Sequence, residues 1–563
     1  MPFSDYLVTD DLTIILGLVA AGLFLLHNLY KPQSLVHPIL LGRQSDVARV
    51  RNPGESAHYR NYGTGMLGRF PTRPAKEQQV LLDLVRTDVD APRTLWSAKI
   101  TNPQLRQRVQ SFGTGLIRTL SLNQESNVLL LLNDGIEFLI SDLALASYGI
   151  PSLTLSSLSV LSPVLDEHPP SVIITHSGFL PTLLELIHES SEGENHTIIV
   201  VGDFQKPRGI TSAKILKWFD IEKEGSAEPI SPHKNPSPQD VFTVSFFSDP
   251  TTGGLRGTAL THENITAGVA STRALLPMSG AISSLDTIIS AHPLSTAFGR
   301  AVAYTAIYEG TNFATLKSTA FIGADEDTKL DLSDLKSTNA YPIPSPTLLF
   351  IKPPHLASLA AAIVDEAKKN FILFSLAWRH KFSGVLEGYL TKQSLWDRLV
   401  FDNARVKVLG KGAGTVRAVV VSGGELEAQS LAPTRIALSV PLVNAHIHPA
   451  VAGPVLASHP LDLQTFPAVP GSSAASAADN YAFTYLAPVG PPAINVEAKL
   501  VGVDDTHVEG GHDPIGALHV RGTPVGKIIH VEEGPSEKEG WIHTGERAKV
   551  LTNGTFKVTI QAK

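Results

Sequence analysis

Short apolar runs alternate along this chain with segments of helical spacing. Asn127–Asn133 reads NVLLLLN, an apolar run bounded by polar residues, as in a strand that is buried on both faces. The next stretch, Gly135–Tyr148, has helical spacing, and Ser171–Thr175 and Thr197–Val201 repeat the strand pattern. Arg417–Val421 (RAVVV) is a further run of this kind. The alternation predicts an α/β fold with layered, largely parallel sheets and flanking helices.

Other stretches depart from this alternation. Glu222–Asp240 is polar and rich in proline, which predicts a loop or linker, and residues 468–480 are rich in Ala and Ser, which predicts a surface loop. After about residue 492 the pattern is typical of short strands and turns. We therefore divide the chain into a leader (1–11), an apolar segment (12–30), a lead-in segment (31–90), an α/β body (91–491) and a β-rich subdomain (492–563).

Residues 12–30 differ in composition from the rest of the chain. They contain no Asp, Glu, Lys or Arg, and Leu12–Leu26 is apolar apart from one Thr. A helix of this length spans about 28 Å, close to the ~30 Å hydrocarbon core of a bilayer. A cleaved signal peptide needs a basic region before its apolar run, whereas Asp10 and Asp11 precede this one and Lys31 follows it. The segment predicts a single transmembrane anchor, with the leader outside the cytosol and the body inside it.

Overall composition excludes several functional classes. Lys and Arg total 46 and Asp and Glu total 53, for a net charge of −7, which weighs against a nucleic-acid partner. The chain has no cysteine. Disulfides, thiolate nucleophiles and cysteine-based metal sites are therefore excluded.

Thr243–Asn264, which reads TVSFFSDPTTGGLRGTALTHEN, is the most informative stretch of the chain. A Thr/Gly loop with one basic residue can cradle phosphate through backbone N–H groups, hydroxyls and the cation. The Walker pattern G-x-x-x-x-G-K-[ST] is absent. On chemistry alone, such a loop is more often only a turn.

Spacing and order add a family resemblance. Ser248–Gly257 is similar, without a gap, to the phosphate loop Thr-Ser-Gly-Thr-Thr-Gly-x-Pro-Lys-Gly of the adenylate-forming (ANL) superfamily, and Thr261-His262 follows in register. Other blocks resemble family motifs in the family's order, namely Pro293–Gly299, Leu395–Phe401, Arg417–Gly424, Gly516–Gly522 and Gly540–Glu546. Within the superfamily, the chain most resembles long-chain fatty acyl-CoA synthetases. The resemblance implies an ANL-type N-terminal large domain, AMP-binding-like over 91–491, followed by the β-rich subdomain as far as the family hinge.

In that family, ATP and a fatty acid give an acyl-adenylate and pyrophosphate, and the thiol of coenzyme A then attacks the adenylate. The resemblance therefore implies ATP or AMP as the ligand. It implies cofactor-binding roles for Ser248, Thr251, Thr252, Gly253, Arg256, Gly257, Gly423, Gly424, Asn444, Ala445, His446 and Glu546. Glu546 stands where the family has the Asp that contacts the ribose hydroxyls.

The phosphate loop departs from the family pattern at two positions. Asp249 stands where the family has Ser, and Pro250 stands where it has Gly. Proline removes a backbone donor, and a carboxylate ~4 Å from a phosphate, at an effective dielectric constant of ~20, repels it by about 4 kcal/mol. Arg256 replaces the family Lys, which keeps the charge and changes its geometry.

The magnesium motif departs further. Where the family reads Tyr-Gly-x-Thr-Glu, this chain reads His446-Ile447-His448-Pro449-Ala450, without the magnesium carboxylate. His446 and His448 lie on one face of a predicted strand, either as ligands of another metal or, as we expect, as partly buried or surface histidines. We also expect the chain to stop at the family hinge, before the C-terminal domain with its catalytic Lys, an ending that a truncated sequence would also produce. No catalytic residue and no metal ligand is therefore assigned, and these changes weigh against Mg²⁺ and CoA.

Three functional hypotheses follow from the sequence. The first is a membrane-anchored acyl-CoA synthetase-like protein of lipid metabolism that is degenerate in adenylation and binds or scaffolds. The second is an active or partially active fatty acyl-CoA ligase. The third is an unrelated activity such as hydrolysis, although no Gly-x-Ser-x-Gly elbow occurs. The expected partners are a membrane, a fatty acid or acyl lipid, and a protein. By analogy with anchored fatty-acid enzymes we expect the endoplasmic reticulum, with lipid droplet or mitochondrial outer membrane as alternatives.

Overall fold

The structure is a computed structural model of the chain. It describes residues 10–29, 33–64, 71–190, 197–204, 214–229, 235–249, 252–320, 322, 341–463, 483–529 and 539–560.

The strands of the described residues fall into three sheets. In chain order they are β1 (Ser45–Val47), β2 (Tyr59–Asn61), β3 (Arg93–Leu95), β4 (Ala98–Ile100), β5 (Val128–Leu131), β6 (Ser152–Leu155), β7 (Val172–His176), β8 (Thr197–Val201), β9 (Lys214–Lys217), β10 (Val241–Ser248), β11 (Leu255–Thr261), β12 (Thr287–Ser290), β13 (Asn312–Thr315), β14 (Leu348–Ile351), β15 (Ala418–Val421), β16 (Leu442–Ile447), β17 (Pro454–Ala457), β18 (Val496–Val501), β19 (Ile515–Gly522), β20 (Lys527–Ile529), β21 (Ile542–Val550) and β22 (Phe556–Ile560).

The α-helices of the same residues lie mostly between the parallel strands. In chain order they are α1 (Asp11–Leu29), α2 (Pro38–Gly42), α3 (Asn102–Leu120), α4 (Ile136–Tyr148), α5 (Leu161–Glu167), α6 (Leu180–Ser190), α7 (Trp218–Ala227), α8 (His262–Arg273), α9 (Ala297–Glu309), α10 (Pro353–Ala367), α11 (Phe371–Leu386), α12 (Asp402–Leu409), α13 (Gly412–Thr415), α14 (Ala428–Leu438) and α15 (Asp505–Glu509). A π-helical turn, Asp397–Phe401, precedes α12.

Two of the sheets are mainly parallel, and each has eight strands within the described residues. Their strand orders are β20-β11-β10-β6-β5-β7-β8-β9 and β17-β16-β15-β14-β12-β13-β3-β4. The third sheet, β1-β2-β18-β19-β21-β22, is antiparallel. The predicted α/β class with layered sheets and an additional β-rich part is therefore confirmed.

Local sequence accounts for the parallel strands and the helices between them. All four residues of β5 are buried, as its uninterrupted apolar run predicts. Helix α4 follows at once and ends where Gly149 adopts φ +68°, with its N–H bonded to carbonyls of the last turn. This left-handed position favours glycine and terminates the helix.

One local prediction is partly wrong. The loop expected over Glu222–Asp240 begins later, because α7 continues to Ala227. Trp218 stacks on Phe112 of α3 with ring centroids 4.5 Å apart. Gly225 lies so close to α3 that an added Cβ would be 1.9 Å from the Ser111 carbonyl oxygen. Packing of one face against α3 therefore stabilises a helix whose other residues are polar. The surface loop predicted over 468–480 lies outside the described residues.

The β-rich part recruits strands from the beginning of the chain. The hairpin of β1 and β2 pairs with β18 through Arg60–Glu497 and Tyr59–Ala498. In the opposite direction, β20 leaves the C-terminal region and pairs with β11 of an α/β sheet. Strands from different predicted segments therefore share sheets, and the sheets do not mark where one segment ends and the next begins. The segment boundaries drawn from the sequence stay predictions.

The apolar N-terminal segment forms α1, but the predicted transmembrane anchor is not supported. Within the ranges that the structure describes, no helix combines the length and the apolar character needed to cross a membrane.

Candidate functional site

The loop predicted to hold phosphate closes a hairpin between β10 and β11. Ser248 lies opposite Leu255, and Phe246 lies opposite Gly257. A Cβ at Gly257 would be 2.6 Å from the Cδ1 atom of Ile529, so a glycine here allows β20 to pack on β11. Thr251, one of the predicted phosphate ligands, lies outside the described residues, as does Pro250.

The hairpin loop is hydrogen-bonded to itself. The N–H of Asp249 donates to the Gly254 carbonyl, and the N–H of Gly253, at φ +73°, donates to the Asp249 carbonyl, both at 2.8 Å. The N–H of Gly254 donates to the Thr252 hydroxyl at 3.2 Å. The Ser248 hydroxyl donates to the Gly253 carbonyl at 3.2 Å. A phosphate-binding loop directs such donors at the ligand, whereas here they are used within the loop.

The cation of the loop is paired inward. Nε of Arg256 lies 2.6 Å from Oδ2 of Asp249, whose side chain is only 1% exposed, while the Arg256 side chain is 25% exposed. Sequence reasoning identified Asp249 as a charge that repels phosphate. The structure adds that this carboxylate binds the loop's own arginine.

A hydrogen bond between side chains joins the end of β16 to β21. Nε2 of His446 lies 2.8 Å from Oε2 of Glu546. Burial disfavours the charged form of Glu546, but the neighbouring His446 outweighs it and holds the pKa of this carboxyl below its ordinary value of 4.5. Glu546 is the residue predicted to contact ribose hydroxyls, and its carboxylate is bound to His446.

His448 is held by hydrogen bonds on both ring nitrogens. Its Nε2 donates to the Thr544 carbonyl at 3.1 Å, and its Nδ1 accepts from the N–H of Ala450 at 3.1 Å. Burial lowers the pKa of His448, which fits a neutral ring with one donor and one acceptor. Across the described ranges, three potential metal-ligating side chains do not come together at any point.

The remaining predicted residues have mainly structural contacts. Gly423 has φ +81°, and an added Cβ would be 3.3 Å from Cε1 of His292 and 3.5 Å from Cδ1 of Ile447. An added Cβ at Gly424 would be 3.3 Å from the Pro353 ring. Two β16 residues complete the set. The side-chain amide of Asn444 donates to the Pro488 carbonyl at 3.0 Å, and Ala445 is buried opposite Ala457.

Sequence reasoning missed one buried pair in this region. The hydroxyl of Ser422 lies 2.9 Å from Nε2 of His292. Burial, with Lys352 and His355 nearby, lowers the pKa of His292 to about 3. Such an imidazole is a weak base at neutral pH, so the pair does not meet the requirement of a hydrolase dyad. The sequence signal is a histidine directly before Pro293-Leu294 and a serine directly before two glycines.

These parts converge on the end of β16. Phe247, next to the loop, lies edge-on to His448 with ring centroids 6.4 Å apart. Glu546 reaches His446, and Gly423 lies beside Ile447. His446, Ile447 and His448 thus lie beside three parts of the chain that are far apart in the sequence. These parts are the carboxylate of Glu546, the turn at Gly423 and the strand that leads into the loop. The region has the composition of a nucleotide site, but its charged groups are paired with one another.

Comparison with protein families matches residues 85–529 to the family described as AMP-binding enzyme. Mouse long-chain-fatty-acid–CoA ligase 5 is 26% identical over 483 residues, which cover 82% of this chain and 64% of that protein. Long chain acyl-CoA synthetase 7, peroxisomal, of Arabidopsis thaliana is 24% identical over 537 residues, covering 89% and 69% of the two chains. This chain therefore spans somewhat less than two thirds of the length of the mouse relative.

Solved structures give the same fold. An anthranilate CoA ligase in complex with anthranoyl-AMP superposes with a TM-score of 0.59 at 17% identity, covering 88% of this chain and 79% of that one. A long-chain-fatty-acid-CoA ligase from Archaeoglobus fulgidus gives a TM-score of 0.57 at 13% identity, covering 87% and 85%. At these identities the similarity establishes the three-dimensional architecture.

Proposed function

Since this chain belongs to the AMP-binding enzyme family, we propose that it is a long-chain acyl-CoA synthetase-like protein that no longer forms adenylates and acts as a binding or scaffolding protein. The pairing of Arg256 with the buried Asp249 at 2.6 Å carries this proposal. For Arg256 to give its full charge and its Nε to a triphosphate, it must leave a carboxylate that is almost fully buried. Breaking such a pair from one side costs about 3 kcal/mol or more, which is roughly two decades of nucleotide affinity.

Two further changes support the proposal. The carboxylate of Glu546 is engaged by His446, so a ribose would have to compete with a charge-assisted hydrogen bond. Pro449 and Ala450 occupy the positions where the family has Thr and the magnesium-binding Glu, and neither side chain can bind a cation.

We propose a fatty acid or acyl lipid as the ligand, and a protein as a further partner. The support is the similarity to enzymes named as long-chain fatty acid–CoA ligases. A location at the endoplasmic reticulum, lipid droplet or mitochondrial outer membrane stays a prediction. A nucleic-acid partner is not proposed, given the net charge of −7.

The test is a titration of the full chain with ATP, with and without Mg²⁺, followed by a pyrophosphate-release assay with palmitate. We expect no magnesium-dependent binding and no pyrophosphate. A matched variant restores the family residues as Asp249→Ser with Pro250→Gly and Pro449→Thr with Ala450→Glu. Nucleotide binding in this variant, but not in the natural chain, would identify these positions as the cause. Palmitate-dependent pyrophosphate release by the natural chain would refute the proposal.

The second candidate function is an active or partially active fatty acyl-CoA ligase. It is favoured by Thr252, which matches the family residue, by Arg256, which keeps the positive charge of the family Lys, and by Glu546, which keeps a carboxylate. Magnesium can be held by phosphates and water alone. This function predicts pyrophosphate release without CoA if only adenylation survives. It predicts a CoA thioester if the whole reaction does.

A further inference from the structure

Helix α11 is apolar on its exposed side as well as on its buried side. At 100° per residue its outward apolar residues fall within an arc of about 140°, so they form one stripe along the helix. We call this stripe the α11 face; it consists of Phe371, Ile372, Leu376, Phe382 and Leu386, all of them exposed. Phe371 and Ile372 are 75% and 73% exposed. A contiguous exposed apolar surface of this kind marks an interaction site.

The helix is fixed in this orientation from its inner side. Phe374, Ala377 and Val385 are buried in the main hydrophobic cluster. Nζ of Lys381, also on the inner side, lies 2.7 Å from Oδ2 of Asp397 in the π-helical turn. Rotation of the helix to bury the α11 face would break these contacts, so the face is a permanent part of the surface.

The π-helical turn extends the α11 face. Leu395, just before the turn, is 65% exposed, and Leu399 within it is 54% exposed. Trp378 and Trp396 are half-buried on the same two elements. Tryptophan at the border between an apolar surface and water is typical of groups that sit at the headgroup level of a bilayer.

The α11 face and the π-helical turn carry two exposed basic side chains. Arg379 lies within the stripe and Arg398 within the π-helical turn, and both are exposed. Among the described acidic side chains, none forms an ion pair with either arginine. Exposed, unpaired arginines beside apolar side chains complement an anionic lipid surface, where each contributes about fivefold in affinity.

The beginning of the chain places a second apolar element near the same surface. The N–H of Leu35 donates to the carbonyl of Gly388, two residues beyond α11, at 2.9 Å. Leu35 comes six residues after Leu29, the last residue of α1, so the end of α1 lies within about 22 Å of that point. The exposed side chains of α1 include Leu12, Ile15, Leu16, Leu18 and Val19.

From this geometry we propose that the α11 face, with Leu395, Leu399, Arg379 and Arg398, docks on a lipid bilayer that carries anionic headgroups. The contact is peripheral, with side chains entering the headgroup and upper acyl region and the helix lying in the plane of the interface. None of these residues is among those predicted to bind nucleotide, so the proposal does not depend on whether adenylation survives.

Tryptophan fluorescence of the full chain tests the proposal. The chain has five tryptophans; Trp96, Trp218 and Trp541 are buried in the interior. Phosphatidylcholine vesicles with brominated acyl chains, with and without phosphatidylserine, would therefore quench Trp378 and Trp396 selectively. We expect quenching with phosphatidylserine that largely disappears in the Trp378→Phe, Trp396→Phe variant.

Substitutions locate the contact. Ile372→Glu with Leu376→Glu should reduce quenching at a given lipid concentration by about tenfold, because two apolar groups become charged. Leu285→Glu is the matched control, since Leu285 is 88% exposed elsewhere on the body, and it should leave quenching unchanged. Equal thermal unfolding midpoints would show that all variants are folded.

Three outcomes would overturn the proposal. The first is unchanged quenching in the Ile372→Glu, Leu376→Glu variant, which would mean that α1 alone holds the chain on lipid. The second is equal quenching by vesicles without phosphatidylserine, which would remove the role of the arginines. The third is a dimer in sedimentation that this variant abolishes, with no lipid quenching of the natural chain, which would make a second copy the occupant.

Discussion

Replacement of Asp249 by serine should convert the self-paired loop into a phosphate-binding one. In the natural chain, Oδ2 of Asp249 holds Nε of Arg256 at 2.6 Å, and the carboxylate is buried. The substitution removes one negative charge and frees the guanidinium for a ligand. A charge-assisted hydrogen bond contributes about 1.5–3 kcal/mol, and the repulsion between a carboxylate and a phosphate at ~4 Å is at most about 4 kcal/mol.

We take about 3 kcal/mol as the net gain in binding free energy, because Arg256 already screens part of the repulsion. This gain corresponds to roughly a hundredfold in ATP affinity. Isothermal titration calorimetry with ATP measures it directly. The same substitution should also lower the free energy of unfolding by about 1–3 kcal/mol, since the ion pair between the buried carboxylate and the partly exposed Arg256 is lost. Gain of binding together with loss of stability distinguishes a released arginine from a general loosening of the loop.

A double-mutant cycle assigns the effect to the pair. Arg256→Gln alone should leave ATP binding weak, and Asp249→Ser with Arg256→Gln should lose most of the gain seen with Asp249→Ser. Asp249→Asn, which keeps the side-chain size, is the matched control and should gain affinity through loss of the charge. If the double variant binds ATP as tightly as Asp249→Ser, Arg256 is not the group released, and the reasoning is refuted.

Three other predictions concern stability. Because the Glu546 carboxyl has a pKa held below 4.5 by His446, its contribution to stability is present above that pH and is lost as the pH falls through the lower folded-state value; Glu546→Gln should flatten the acid limb of urea midpoints measured against pH. The pKa of His292 falls from 6.5 to about 3 on folding through burial, so between these values the unfolded state binds more protons than the folded state. The free energy of unfolding should therefore decrease by about 1.4 kcal/mol for each unit by which the pH is lowered over much of this range. The same pH dependence in His292→Gln would contradict this. Gly268→Ala should lower the thermal midpoint strongly, because the new Cβ would be 1.5 Å from the Ala452 carbonyl oxygen, whereas Gly414→Ala, with open space around it, should be close to neutral.

The local elements of the fold could be predicted because each is encoded in neighbouring residues. The run Asn127–Asn133 becomes β5, Ser171–Thr175 becomes most of β7, and Thr197–Val201 is β8. A short apolar run with polar ends is buried whichever strands flank it. The helix over Glu222–Ala227 was missed because it is stabilised by contact with α3, more than a hundred residues earlier in the chain.

The candidate site divides in the same way. Motif order alone located the loop, the double-glycine turn and the carboxylate at Glu546, because a series of short patterns in a fixed order can be recognised from the sequence without a structure. A carboxylate at Asp249 and histidines in the place of the magnesium motif are likewise read directly from the residues. It left open whether those histidines bind a metal or are buried by the chain itself.

Tertiary structure decided what these charged groups bind. Glu546 and His446 are one hundred residues apart in sequence and 2.8 Å apart in space. Asp249 is buried and bound to Arg256, an arrangement that depends on the hairpin register and on the loop closing on its own backbone. An ion pair is strong only within a few ångströms and only out of water, so the residue types were determined by the sequence, whereas their partners were determined by how β10, β16 and β21 come together.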